Sequence, residues 1–283
     1  MTTHSSAVTK EFAVSSARSW GGFLAGFVLL CGVLLGTSAV DATGRWGLGI
    51  LAATLLTAVV VETFHKPRPL PELMRDLGFG RPGVRAVVVA AAVSCLLLLV
   101  FPATAAISGA GVQLRHDWLW LLVGIFAFHG LAEELVWRGF TFRRLRQGRT
   151  FWAATLWTMP LVAASHLYIV FTLGPAVGIG AMTVAMVTSI PFAYLYETGR
   201  GTIWAPALVH TAIDTFKLVI IPTAALATFS VLIIAVSITV SLLALAVPRR
   251  LLQPSANESS VPRIRGEERR ASPAPKTERG PTR

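Results

Sequence analysis

The chain has 283 residues, of which 54% are hydrophobic and only 14% charged, against roughly 25% charged in an ordinary soluble domain. With a mean hydropathy of +0.64, it holds more apolar sequence than a soluble fold can bury, and the implied class is a polytopic membrane protein. The net charge of +11 does not point to nucleic acid, because Lys and Arg gather between apolar runs and in the C-terminal segment, as in loops beside anionic lipid.

Residues 1–19 are polar and Ser/Thr-rich, with Lys10 and Arg18 just ahead of the first apolar run at about 20–40. That run exceeds the 7–15 residues of a signal-peptide core and is read as a retained membrane helix. Further runs follow at about 46–64, 84–107, 118–137, 151–173, 175–196, 203–221 and 223–247. Each is close to the ~20 residues that cross a hydrocarbon core. Lipid leaves no partner for free backbone groups, so spanning segments are helices or a closed barrel, and the lack of period-2 alternation removes the barrel. The expected fold is all-α: a transmembrane bundle of about eight helices over 20–247. It is flanked by the polar segment 1–19 and by a basic, Pro- and Ser-rich tail at 248–283 that is expected to be disordered.

The basic residues orient the bundle. Lys10, Arg18, Lys66, Arg68, Arg75, Arg81, Arg85, Arg143, Arg144, Arg146, Arg149 and Arg200 fall on one side, and only Arg45 and Arg115 on the other. The positive-inside rule then puts both termini in the cytoplasm. Cys31 and Cys95 each lie inside an apolar run, form no disulfide framework and no cysteine zinc site, and read as small buried hydrophobes.

An acid or base at the centre of a membrane helix costs about 2.5–3.5 kcal/mol on the insertion scale, so such residues are functional-site hypotheses. The fourth run ends in Glu133, Glu134 and Arg138, before a basic loop expected at 138–149. Glu134 and Arg138 stand four apart in the favourable acid-before-base order and read as a structural pair. Glu133, about 100° away around the helix, shares a face with His129 and needs a partner from another helix. The fifth run carries His166, and the seventh carries His210 and Asp214, four apart and on one face. Acids and imidazoles on three separate apolar runs point to one functional cluster. Glu62, His65 and Lys66 read as headgroup-level residues ending the second run. Lys217, two turns beyond His210, is expected to snorkel to the outer interface. Gly174, Gly178, Gly180 and Ala181 predict close helix packing in the sixth run.

Taken together, Glu133-Glu134-x-x-x-Arg138, a histidine in the following run, and His210-x-x-x-Asp214 resemble the motifs of the CPBP intramembrane proteases, the group of type II CAAX prenyl endopeptidases and bacteriocin-processing proteins. The resemblance covers roughly residues 120–245. It implies that Glu133 is the catalytic acid/base with His166 beside it. His210 and Asp214 would hold the scissile carbonyl or the water, and Glu134 and Arg138 would shape the site. Val162 stands where that family usually has Phe, and Asp214 where it often has Asn. The implied activity is cleavage of a membrane-associated protein or peptide near the cytoplasmic side, with the protein integral to a bacterial plasma membrane.

Two chemistries stay open at this stage. In the favoured one, Glu133 and His166 share a water and protonated His210 stabilises the oxyanion. In the other, a divalent metal such as zinc sits on two histidines and a carboxylate, although the helical His-Glu-x-x-His signature is absent. A non-catalytic immunity or assembly factor on the same scaffold is an alternative, as is a proton- or metal-coupled transporter. Depth sets a geometric test. His166 lies fifteen residues into its run, about 22 Å at helical rise, whereas Glu133 is expected near the cytoplasmic end of its own.

Overall fold

The computed structural model describes residues 4–41 and 43–253. In chain order its main helices are α1 (His4–Val40), α2 (Gly47–His65), α3 (Val84–Leu98) and its near-continuation α4 (Val100–Ser108). There follow α5 (Trp118–Arg146), α6 (Phe151–Thr172), α7 (Pro175–Thr198), the shorter α8 (Trp204–Asp214) and α9 (Thr223–Ala246). Among the described residues, seven stretches are long and apolar enough to cross a membrane, and strand is confined to two residue pairs. The all-α membrane bundle expected from the sequence is what the chain forms. Of the expected disordered tail, residues 249–252 form a short helix with Leu252 buried; the part from 254 onward lies outside the described residues.

The seventh apolar run departs from a full-length span. Its α-helix lasts eleven residues, then tightens into a 3₁₀ turn at Thr215–Leu218 and a strand at Val219–Ile220. That strand pairs antiparallel with Gln113–Leu114. Short as it is, α8 joins both loop layers. At its start Ile203 N–H donates to Gly78 O and Trp204 Nε1–H to Gly80 O, both at 3.0 Å. Just past its end, Arg115 N–H donates to Leu218 O at 2.9 Å. An eighth element therefore connects the two faces alongside seven longer ones.

Helix α5 is the centre of the bundle. Its span is 72% buried by protein, against 22–33% for the other six, whose outward residues face lipid. This explains why the acids Glu133 and Glu134 sit on α5: of the seven long spans it is the one with protein rather than hydrocarbon on most sides, where charged groups can find partners. Phe23, Leu30, Leu135, Trp137 and Phe140 pack between α1, α2 and α5. Small residues seam α3 to α8, with Ala86, Ala90, Ala205 and Val209 all buried.

The expected basic loop 138–149 is largely helix. α5 continues through Arg143, Arg144 and Arg146, where Glu62 of α2, only 2% exposed, receives Arg143 and Arg144, and Glu197 receives Arg146. Arg143 hydrogen-bonds Glu62, Arg144 Nη2 lies 3.0 Å from its Oε1, and Arg68 Nη2 lies 3.9 Å from its Oε2. Glu62 is thus a buried clasp rather than a solvated end of α2. Two of the small residues expected to pack closely do so: a Cβ on Gly178 would meet Val170 at 2.5 Å, and one on Gly180 would meet Ile234 at 2.8 Å, whereas Gly174, just before α7, has nothing within 4 Å. Cys31 is buried and Cys95 exposed, both as free thiols.

Candidate active site

Two backbone features set the acids in place. Wide π-type turns at Phe126–Ala132 and Leu135–Phe142 flank Glu133 and Glu134. Such turns shift the register of a helix face and recur at functional sites. At Gly130 the missing side chain lets α8 come close, since a Cβ there would lie 2.5 Å from Thr211 Oγ1 and 3.1 Å from Ala207 O. The carboxylates of α5 therefore meet the imidazole of α8 inside the bundle.

Glu134 is fully buried. Its Oε1 accepts from Arg138 Nη1 at 2.9 Å and from His210 Nδ1 at 2.7 Å. Arg138, 2% exposed, also reaches Ser189 Oγ at 3.5 Å and lies over the Phe192 ring at 4.9 Å. Glu133 is buried as well, and its Oε1 lies 2.6 Å from His129 Nδ1. Its Oε2 lies 3.7 Å from His210 Nε2, which is 3.6 Å from Asp214 Oδ2. Asp214 is in turn paired with Lys217, Nζ to Oδ1 being 3.2 Å, and Lys217 hydrogen-bonds His129 Nε2.

Five of the six predicted residues, Glu133, Glu134, Arg138, His210 and Asp214, thus form one contact network. His166 stands apart from it. It occupies the break within α6, where its Nδ1 lies 2.9 Å from Val162 O and 3.1 Å from Ser165 Oγ. Among the described residues it makes no ion pair or hydrogen bond with Glu133. The expectation that Glu133 lies near the end of its helix is not met. α5 outlasts its apolar run and continues thirteen residues beyond Glu133, so this acid sits mid-helix rather than at an end.

His129 and Lys217 are the residues whose parts exceed what the sequence assigns them. His129 was legible from its four-residue spacing to Glu133. Lys217 turns into the site instead of snorkelling outward, because its place depends on the 3₁₀ turn and the strand pair.

The ligating atoms of His129, Glu133 and His210 all lie within 4.8 Å of one another. Glu134 holds the other nitrogen of His210, the outer carboxylate support typical of metal-binding histidines. This donor set fits a divalent cation, with His129 rather than His166 completing it.

Residues 115–216 match the family model described as type II CAAX prenyl endopeptidase Rce1-like, a segment that holds all six predicted site residues. No curated protein and no solved structure matches the chain.

Proposed function

We propose that this chain, which over residues 115–216 matches the type II CAAX prenyl endopeptidase Rce1-like family model, is an intramembrane endopeptidase that cleaves a membrane-associated protein or peptide with water activated by Glu133. The observation that carries the reading is a charge balance. Arg138 answers Glu134 and Lys217 answers Asp214, so that among the described residues the ion-pair partners of Glu133 are the imidazoles of His129 and His210. A buried carboxylate with no fixed cation of its own is suited to take up and give back a proton.

In this mechanism Glu133 removes a proton from water as the water oxygen bonds to the scissile carbonyl carbon. The charge that develops on the carbonyl oxygen needs a donor. His210 keeps its Nδ1 proton and donates it in a hydrogen bond to Glu134, so a second proton on Nε2 makes that atom the oxyanion donor. Glu133 then passes its proton to the leaving nitrogen as the C–N bond breaks. His166, at the break in α6, orients the water. Asp214 and the Nε2 of His210 frame the position of the carbonyl. A divalent metal such as zinc, held by His129, Glu133 and His210, would supply Lewis-acid activation of water or carbonyl.

The experiment is cleavage of a peptide library by the purified protein and by Glu133→Gln, with metal analysis of both. Loss of cleavage in the variant supports the reading, and stoichiometric bound zinc selects its metal form.

A further inference from the structure

A lysine near the end of a membrane helix ordinarily extends toward water; Lys217 does the opposite. Three features turn it inward. In a 3₁₀ helix side chains three apart eclipse, so the turn Thr215–Leu218 stacks Lys217 over Asp214, with Nζ 3.2 Å from Oδ1. The residues that follow are pinned. Leu218 O accepts from Arg115 N–H, and Val219 and Ile220 pair with Leu114 and Gln113. Finally, the ammonium lies beside the rings of Phe216 and Phe128, 5.7 and 6.0 Å from their centroids, where cation–π attraction favours it.

From there Lys217 hydrogen-bonds His129 Nε2. An ammonium has three donors and no acceptor, so Nε2 must accept. His129 then carries its proton on Nδ1 and donates it to Glu133 Oε1, 2.6 Å away. The chain of donors runs from Lys217 through His129 to Glu133.

We propose that Lys217 is a positioning residue of the active site: it neutralises Asp214 and, through His129, fixes the imidazole tautomer that orients Glu133. The proposal rests on Glu133 being the base and concerns the metal-free protein, in which Glu133 and Lys217 engage both nitrogens of His129. Its logic follows from the surrounding charges. Asp214 and Glu133 both lie within 4 Å of His129 and of His210, while Arg138 is committed to Glu134. Without Lys217 two carboxylates would compete for the same imidazole protons, and His129 would no longer present one fixed face to Glu133.

The test uses full-length protein in detergent, ¹⁵N-labelled at histidine, compared as wild type, Lys217→Met, Lys217→Gln, Lys217→Arg and Lys217→Met with Asp214→Asn. Nitrogen shifts report the tautomer of His129 without substrate, and peptide cleavage reports kcat and KM. In wild type, His129 is expected with its proton on Nδ1 and a bare Nε2. Lys217→Met should lose that state and lower kcat by about 10–100-fold, the size typical of partners that orient a site imidazole, with KM little changed. Lys217→Arg should keep both, and the charge-balanced double variant should recover part of kcat over Lys217→Met. Should Lys217→Met fail to fold, Lys217→Gln, which keeps a donor but no charge, replaces it and is expected to lower kcat. A wild-type tautomer and kcat in the Met or Gln variant would overturn the proposal while leaving Glu133 as the base. Undiminished cleavage by Glu133→Gln would overturn the mechanism instead, with the tautomer measurement still deciding the part of Lys217.

Discussion

The Nδ1 of His210 lies 2.7 Å from Oε1 of the fully buried Glu134, a contact that ties α8 to α5 across 76 residues of sequence. Because the same oxygen also receives Arg138, one carboxylate orients the imidazole and holds the guanidinium. Its environment makes this network costly to break in part. Arg138→Met would leave Glu134 charged, buried and short of its cation, a loss of about 3–5 kcal/mol for a broken buried pair. Thermal unfolding in detergent should show a clear drop. Adding Glu134→Gln should recover a large part of it, since the stranded charge is then gone.

Gly130 tests whether the approach of α8 to α5 matters. In Gly130→Ala the new methyl meets Thr211 Oγ1 and the backbone carbonyl of Ala207, and a carbonyl in a helix cannot swing aside. We expect a destabilisation of about 1–3 kcal/mol from overpacking together with reduced cleavage. Gly21→Ala, where a Cβ would meet nothing within 4 Å, is the matched control and should leave both unchanged.

His166 should separate chemistry from stability. Its bonds stay within its own turn of α6, so His166→Gln is expected to change stability by no more than about 0.5 kcal/mol. Cleavage should fall nonetheless, because the residue that orients the water has gone. Comparing kcat with the unfolding temperature reads the two effects separately. An unchanged kcat would make His166 a local structural residue.

Outside the membrane spans, Asp41 makes acid stability predictable. Burial pushes its carboxyl up. Hydrogen bonds from the Thr43 hydroxyl (2.5 Å), from Trp46 N–H (2.6 Å) and from Thr43 N–H (3.0 Å) outweigh that, and hold it below the ordinary carboxylate range. A depressed value in the folded state means the contribution is present above the unfolded value of about 3.9 and is lost as pH falls through the folded one. Unfolding temperatures measured from pH 7 to pH 3 should therefore fall toward the acid end. In Asp41→Asn that dependence should be shallower.

Much of this architecture can be read from the residues alone, and the failures have physical causes. Apolar runs of membrane length disclose the helices because lipid permits nothing else. Charges within those runs disclose the site because lipid penalises them. What escapes is anything decided by a distant partner. Arg143, Arg144 and Arg146 look like a loop, yet they are helical where Glu62 of α2 receives two of them. Lys217 looks like an outward anchor, yet a strand pair with residues 113–114 helps to turn it in. Glu133 looks like a residue near a helix end because the apolar run stops soon after it, whereas α5 goes on to Arg146. His129 was accessible in principle, since a four-residue spacing to an acid survives even in a helix with wide turns.

The central claim is that Glu133 is the base, and Glu133→Gln is its most direct measurement. The amide keeps the shape and can still accept from His129, so the fold should persist, which the unfolding temperature checks. Cleavage of a peptide that the wild type cuts should fall by at least the roughly 10²–10⁴-fold expected when a positioned acid/base is lost. Cleavage by the folded variant at the wild-type rate would contradict the account.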